Sequence, residues 1–393
     1  MRQEHRTGAI VLGGDYQGLG IARSLGRKGI PVIVVDDEIS IAKVSRYVKH
    51  TLHVPDLREE QPTLDALQLL RRTHPVDGWV LFPTRDETVG VLARHRSELT
   101  EHFLVPTPRW DCTRYAWDKR ETYGLAKRLG VETARTWFPT EESDLEQIDL
   151  TTPVIIKPAI KEHFFYATRA KAWRVDTKEE LLERFRQASQ IIGDSGEVIV
   201  QELIPGGGES QYSYCAFFKA GRAVASMTVR RTRQHPSDFG RASTFVETVD
   251  LEELDEPSAK FLREIGYYGL VELEYKRDPR DGLFKLLDFN ARTWGYHSLG
   301  PAAGVDFPYL VYSDQIGEPA RGGVSRPGVR WIRLATDVPN ALIDIRAKRL
   351  RAGAYLRSLR GGFNVEAVFS ARDPLPWFYE LGLLPYLAVK RGI

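Results

Sequence analysis

Between residues 8 and 105 the chain alternates short, wholly apolar runs with helical patterns, and few folds accept that rhythm. "AIVLGG" and "IPVIVVDD" flank the helix pattern "GLGIARSLGRKG". "GWVLFPT" and "HFLVPTP" repeat the signal, with "TLDALQLLRRT" and "ETVGVLARHRSEL" as helices between and around them. Runs rich in β-branched residues, with no polar alternate positions, are buried on both faces; a parallel sheet covered by helices provides that. Residues 1–108 are therefore expected to form an α/β, doubly wound domain.

The rhythm then changes. The helix pattern "DKRETYGLAKRLG" precedes "TPVIIKP", "KAWRV", the helix "TKEELLERFRQASQII" and "EVIVQELIPGGGE". Long alternating segments follow, "QYSYCAFFKAGRAVASMTVRRTR" and "RASTFVETV", of the kind antiparallel strands with one wet face require. After a helix at "SAKFLREIG", "GLVELEYKRD" and "LFKLLDFNAR" are two strands joined by Asp-Pro-Arg-Asp-Gly, which supplies hairpin turn chemistry. The middle of the chain is thus expected to be α+β, over residues 109–322, with a small lobe at about 120–205. Residues 323–393 form a C-terminal extension. A length of 393 residues suits two or three domains.

Bulk composition narrows the function classes. A net charge of +2 gives no basic surface spread over the chain, so no nucleic-acid partner is expected. Cys112 and Cys215 make neither a disulfide framework nor a metal-ligand spacing. No apolar stretch approaches the ~20 residues a bilayer span needs, and "MRQEHRTGAIVLGG" lacks the features of a signal peptide. The expected location is the cytoplasm.

"VLGGDYQGLG" invites a dinucleotide reading. The fingerprint needs Gly-x-Gly-x-x-Gly, because its second glycine lets the backbone approach a pyrophosphate. Here the glycines are Gly13, Gly14, Gly18 and Gly20, and no register fits. Asp36 and Asp37 follow the second strand, where a ribose-binding acid is expected, so NAD-dependent oxidoreduction stands as the alternative from a different class. A plain tight turn, or a small anion at the helix N-terminus beside Asp15, are the other readings.

The stronger chemistry lies between residues 119 and 292. Lys157 ends the buried run "PVIIKP". In "VIVQELIPGGGE", Glu202 follows an apolar strand and is trailed by Leu203, Ile204 and Glu209. That arrangement suits a nucleotide: a carboxylate or backbone carbonyl accepts from the adenine amino group, apolar neighbours flank the ring, and a second acid takes the ribose hydroxyls. With a side-chain period of two, Glu272 and Glu274 share one strand face, and Asp288, Asn290 and Arg292 share a face of the next. Acids gathered that closely are costly without a cation between them. Oxygen ligands without histidine or thiolate point to magnesium or manganese, completed by nucleotide phosphates.

In that order, these motifs resemble the ATP-grasp superfamily of ATP-dependent carboxylate–amine and carboxylate–thiol ligases, over residues 8 to 320. The nearest resemblance is to bacterial carboxylate–amine ligases of the D-aspartate ligase type. The resemblance implies an ATP-grasp fold behind a Rossmann-like pre-ATP-grasp domain. It implies Lys119 and Lys157 as phosphate contacts, Glu202 as the adenine contact, Leu203 and Ile204 as hinge contacts and Glu209 as the ribose acid. Glu274, Asp288 and Asn290 would hold one or two magnesium ions, and Arg292 would face the transferred phosphate or the acceptor carboxylate. The implied reaction joins a small-molecule carboxylate and an amine through an acyl phosphate, releasing ADP and phosphate. A carboxylase or kinase-like output is the alternative within the superfamily.

Arg231, Arg233 and Arg241 lie where the family lines its acceptor pocket, and Thr84, Arg85 and Asp86 follow a strand at the ligand-binding edge of the first sheet. Two departures stand out. "AIKEHFFYATRAKAWRV" replaces a glycine-rich loop, leaving Lys161, His163, Thr168, Arg169 or Lys171 to take its place, and Asp288 replaces a commoner glutamate. In the extension, Arg346 to Arg360 holds six basic residues and no acid, and the end is rich in aromatics and leucine. A tail packed on the body, a dimer surface and a peripheral membrane contact are all compatible with that composition.

Overall fold

The computed structural model describes residues 7–160, 167–168, 170–193, 197–236, 240, 242–319 and 321–391. The first layer is a parallel sheet of β1 (Ala9–Leu12), β2 (Val32–Asp36), β3 (His50–His53) and β4 (Val80–Pro83), in the order β3-β2-β1-β4. β1, β2 and β4 are buried throughout, as their unbroken apolar runs require. One face (Ala9, Val11, Val32, Val34) packs on α1 (Tyr16–Gly26) and on residues from the far end of the chain, Ala367 and Val368. The other face (Ile10, Leu12, Ile33, Val35) packs on α2 (Glu60–Thr73) and α3 (Asp86–Arg94). The expected strand at "HFLVPTP" is reduced to a bridge between Leu104 and Val80. The expected long helix at "ETVGVLARHRSEL" breaks at His95 into α3 and one further turn, Arg96–Leu99.

The glycine turn is filled by the chain itself. Gly14 N–H donates to the Asp36 carboxylate at 2.8 Å. A Cβ on Gly18 would lie 2.0 Å from the Gly13 carbonyl oxygen, and one on Gly20 would lie 2.6 Å from His297. These glycines serve backbone and side-chain approach within the fold, and the Gly14 N–H is engaged by Asp36.

A second, small sheet follows α4 (Lys119–Leu129), which Asp118 caps by accepting from Arg120 N–H and Gly130 ends at φ +66°. Its strands are β5 (Thr136–Trp137), β6 (Val154–Pro158), β7 (Trp173–Val175) and β8 (Val198–Glu202), in the order β5-β8-β6-β7 and all antiparallel. α5 (Lys178–Ile192), capped by Thr177, buries Leu181, Phe185 and Ala188 against it.

The third sheet has eight strands. β9 (Gln211–Lys219) and β10 (Arg222–His235) form a long hairpin, whose turn places Ala220 and Gly221 at positive φ. β11 (Ala242–Thr248) continues the sheet; α6 (Asp255–Glu264) then leads into the hairpin of β12 (Gly269–Arg277) and β13 (Phe284–Asn290). β14 (Gly323–Val324) pairs with β10, and β15 (Arg330–Ile332) adds to β11. α7 (Leu334–Arg346) and α8 (Ala352–Ser358) come next, then β16 (Val365–Glu366) on β15 and the terminal α9 (Leu375–Arg391). The C-terminal extension therefore completes both the large sheet and the cover of the first.

Candidate functional site

The β12–β13 hairpin sets the site. Its turn is fixed by Asp278, which accepts from the Arg280 N–H and side chain and from Lys285, and by Gly282 at φ +78°. With a register shift between Tyr275 and Glu274, the ladder puts Glu272 opposite Asn290 and Glu274 opposite Asp288. The alternation expected from sequence thus gathers three carboxylates and an amide on one face. Asn290 Nδ2 donates to Glu272 at 3.2 Å and to Glu274 at 3.1 Å. Tyr296 O–H donates to the buried Glu272, whose pKa is raised by burial and by the neighbouring Glu274 charge.

Basic side chains from other elements close on this face. Lys119, in the first turn of α4, reaches Asp288 at 2.5 Å. Arg231, on β10, lies 3.1 Å from Glu274. Arg292 donates to Asp86, the first residue of α3, at 2.7 Å and lies 3.4 Å from the Asn290 amide oxygen. Burial opposes the Arg292 charge, but the carboxylates of Asp86, Glu272 and Asp288 together outweigh it and raise the pKa.

Lys157 ends β6 inside the wall of the small sheet. Its ammonium donates to Tyr123 Oη of α4 and to Gln201 Oε1 of β8, both at 2.7 Å. Burial lowers its pKa, since neither partner is a carboxylate. The Lys119 N–H donates to the Ala159 carbonyl, so the two lysines are tied to one corner where α4 meets β6.

Between the small sheet, the hairpin and the first domain lies a cavity of about 380 Å³. Lys119, Lys157, Glu274, Asp288, Asn290, Arg292 and Asp86 all line it, as does Lys171 from the glycine-poor segment. Ile155, Pro158, Ala172 and Leu287 supply apolar wall. Sequence reading left other lining residues without a role: Tyr16 and Gln17 at the start of α1, Gln201 and Gln211. Tyr16 and Gln17 carried a signal, since they follow the glycine turn at the C-terminal edge of the first sheet.

The donor set suits a hard divalent cation. Glu274 and Asp288 face each other across the hairpin with the Asn290 amide beside them, and magnesium is commonly held by one or two carboxylates plus phosphate oxygens. Among the described residues no three histidine, cysteine or acidic side chains form a complete protein cage.

Several expected residues do not line the cavity. Glu202 is buried with its carboxylate 2.5 Å from Arg280 and 3.4 Å from Arg135. Leu203 N–H donates to the Pro153 carbonyl, and the Ile204 carbonyl accepts from Lys276. Glu209 is exposed and bonds Gly207 N–H of its own loop. Arg233 is held by Asp337 through two bonds of 2.8 Å and stacks on Phe245 and Tyr355, which makes it an anchor for the C-terminal extension. Thr84 donates to the Leu12 carbonyl, locking β4 to β1. Asp15 sits 3.7 Å from Arg333, which covers the Tyr16 ring. Arg241, Lys161, His163 and Arg169 lie outside the described residues; Thr168 bonds locally with Ala170.

Comparison with known proteins places this architecture. No family model matches the chain. D-aspartate ligase of Enterococcus faecium (strain Aus0004) is 24% identical over 326 residues, covering 78% of this chain and 76% of that enzyme. The biotin carboxylase domain of Hydrogenobacter thermophilus 2-oxoglutarate carboxylase, solved with magnesium ADP and bicarbonate, superposes with a TM-score of 0.66 at 15% identity. It covers 83% of this chain and 74% of that one. The chain has the ATP-grasp fold. The L-amino acid ligase of Bacillus licheniformis shares the ATP-grasp fold as well, with a TM-score of 0.60 and 15% identity over 80% of this chain and 75% of that one. The observed combination is therefore the ATP-grasp fold, with the acidic hairpin and the two lysines facing one cavity.

Proposed function

We propose that the protein is an ATP-dependent ligase that joins a small-molecule carboxylate to an amine through an acyl phosphate. The observation that carries this reading is the convergence of Lys119, Lys157, Glu274, Asp288, Asn290 and Arg292 on one cavity. Transfer of a phosphoryl group demands positioning and charge neutralisation more than a protein nucleophile. Lys119 and Lys157 hold the nucleotide phosphates from the α4–β6 corner. Glu274, Asp288 and Asn290 would hold magnesium, which would supply charge neutralisation for the phosphates. The adenine ring lies against the Ile155 and Leu287 wall.

Arg292 grips the acceptor carboxylate or the phosphoryl group being transferred, in the planar fork geometry that suits both. Asp86 fixes the direction of that fork. In the balanced reaction a carboxylate oxygen attacks the γ-phosphorus and ADP leaves. The amine then attacks the acyl carbon, phosphate leaves, and the amine loses a proton. The relatives named above include an aspartate ligase and an amino acid ligase, which supports amide formation as the output.

Phosphate release, measured with ATP, magnesium and a matrix of amino acids and small acids, tests the reading. Release that requires both an acid and an amine is expected. Lys157→Ala and Asp288→Ala are expected to abolish it while leaving the circular dichroism spectrum intact. Release that needs bicarbonate alone, or full turnover in either variant, contradicts the assignment.

A further inference from the structure

The exposed side of α9 and the loop before it is rich in apolar side chains. Leu375 and Phe378 are each 60% exposed, Phe369 47% and Leu381 40%. They are contiguous: Phe369 stacks edge-on against Trp377 at 5.6 Å, and Trp377 against Phe378 at 5.2 Å. The acids of residues 366–391 are Glu366, Asp373 and Glu380, and all three are buried. Glu366 accepts from the N–H groups of Leu334 and Val368, Asp373 pairs with Arg23, and Glu380 with Arg333.

What borders this apolar side is basic. Exposed Arg27 reaches Ser370, exposed Arg46 reaches the Arg372 carbonyl, and Lys43 stands 5.1 Å from the Tyr379 ring. Arg372 is itself exposed. The patch thus presents aromatic and leucine side chains within a margin of four cations, with its acids turned inward.

We infer that this face binds an anionic lipid surface peripherally, with Leu375, Phe378 and Leu381 entering the headgroup–acyl boundary and Arg27, Lys43, Arg46 and Arg372 meeting lipid phosphates. Apolar and aromatic groups flanked by basic ones are what an interfacial helix needs. Among the described residues no helix is long and apolar enough to cross a membrane. A second copy of the chain is the poorer occupant. A two-fold contact of this face with itself sets the same four cations against each other, with no exposed acid in the segment to pair them.

Flotation with vesicles tests the inference. The full-length protein is expected to float with phosphatidylcholine vesicles containing phosphatidylglycerol, to stay behind with pure phosphatidylcholine, and to detach as salt rises. The double variant Leu375→Ser, Phe378→Ser is expected to lower anionic-vesicle binding by about tenfold or more. Lys43→Glu with Arg46→Glu is expected to lower it by at least about tenfold and to weaken the salt dependence. Leu69→Ser, an exposed apolar position on α2 over the opposite face of the first sheet, is expected to leave binding unchanged. ATP turnover serves as the folding control, because none of these residues lines the cavity. Absence of binding to anionic vesicles, or equal binding by the double variants, overturns the inference. So does a wild-type dimer in solution that the serine variant converts to a monomer.

Discussion

At the level of single residues, chemistry was easier to read than partnership. Lys157 announced itself by ending an apolar run, yet Tyr123 and Gln201, which hold its ammonium, come from 34 residues upstream and 44 downstream. No spacing rule links them. Glu202, the last residue of β8, suggested a ligand contact from its place at the strand end, but nothing local in the sequence announced the pairing of its carboxylate with Arg280 and Arg135. His297 had no role assigned, and its surroundings give it a measurable one. Its Nε2–H donates to the Gln17 carbonyl, beside the cavity-lining Gln17, and burial lowers its pKa to about 4. Between about pH 6.5 and 4 the unfolded chain takes up a proton that the folded His297 refuses, so stability falls as the solution is acidified through that window. Urea unfolding at pH 7 and pH 5 checks this. The wild type is expected to lose more stability between the two than His297→Gln, which keeps a donor for Gln17 but cannot titrate.

Among the elements, the hairpin of β12 and β13 was the most legible feature. Period-two alternation put Glu272 with Glu274, and Asp288 with Asn290, on shared strand faces, whereas the register shift beside Glu274 that sets it opposite Asp288 left no sign in the sequence. α4 and α5 were equally plain, because Asp118 and Thr177 cap them in the manner their sequences advertise. α1 was legible as a helix, but its glycines pointed towards a nucleotide when their purpose is approach. Gly18→Ala would set a Cβ against the Gly13 carbonyl oxygen, a backbone atom that cannot step aside. That change is expected to cost about 3 kcal/mol in chemical denaturation, at the upper end for overpacking a tight contact. Gly124→Ala in α4, whose Cβ would meet only the end of Arg128, is expected to be neutral or slightly stabilising. Equal effects of the two substitutions would mean that the turn is not close-packed.

For the whole molecule, the C-terminal extension was the part that sequence described least well, since its contacts span most of the chain length. Asp373 accepts from Arg23 of α1 at 2.9 Å, from the Ser45 hydroxyl at 2.7 Å and from the Arg46 N–H at 3.0 Å. Asp337 similarly ties α7 to Arg233 and Thr244 of the large sheet. Ion pairs of that separation leave no local trace in sequence. Asp373→Ala strands the buried Arg23 guanidinium and is expected to destabilise the protein by about 3 kcal/mol, read as a lowered urea midpoint. It is also expected to expose the chain after residue 366 to proteolysis before the rest, because Asp373 is the hub joining that segment to the first domain. Simultaneous loss of all regions would instead make the extension one cooperative unit with the body.

The central claim is that this cavity, and not the N-terminal glycine turn, takes the nucleotide. Thermal unfolding of the purified protein with magnesium ATP and, separately, with NAD tests it directly. A ligand at about 100 times its Kd adds about 2.7 kcal/mol of stability, enough for a clear rise in Tm. The account predicts such a rise with magnesium ATP, none with NAD, and its loss in both Lys157→Ala and Asp288→Ala. A rise with NAD, or a magnesium ATP response that survives both substitutions, would contradict it.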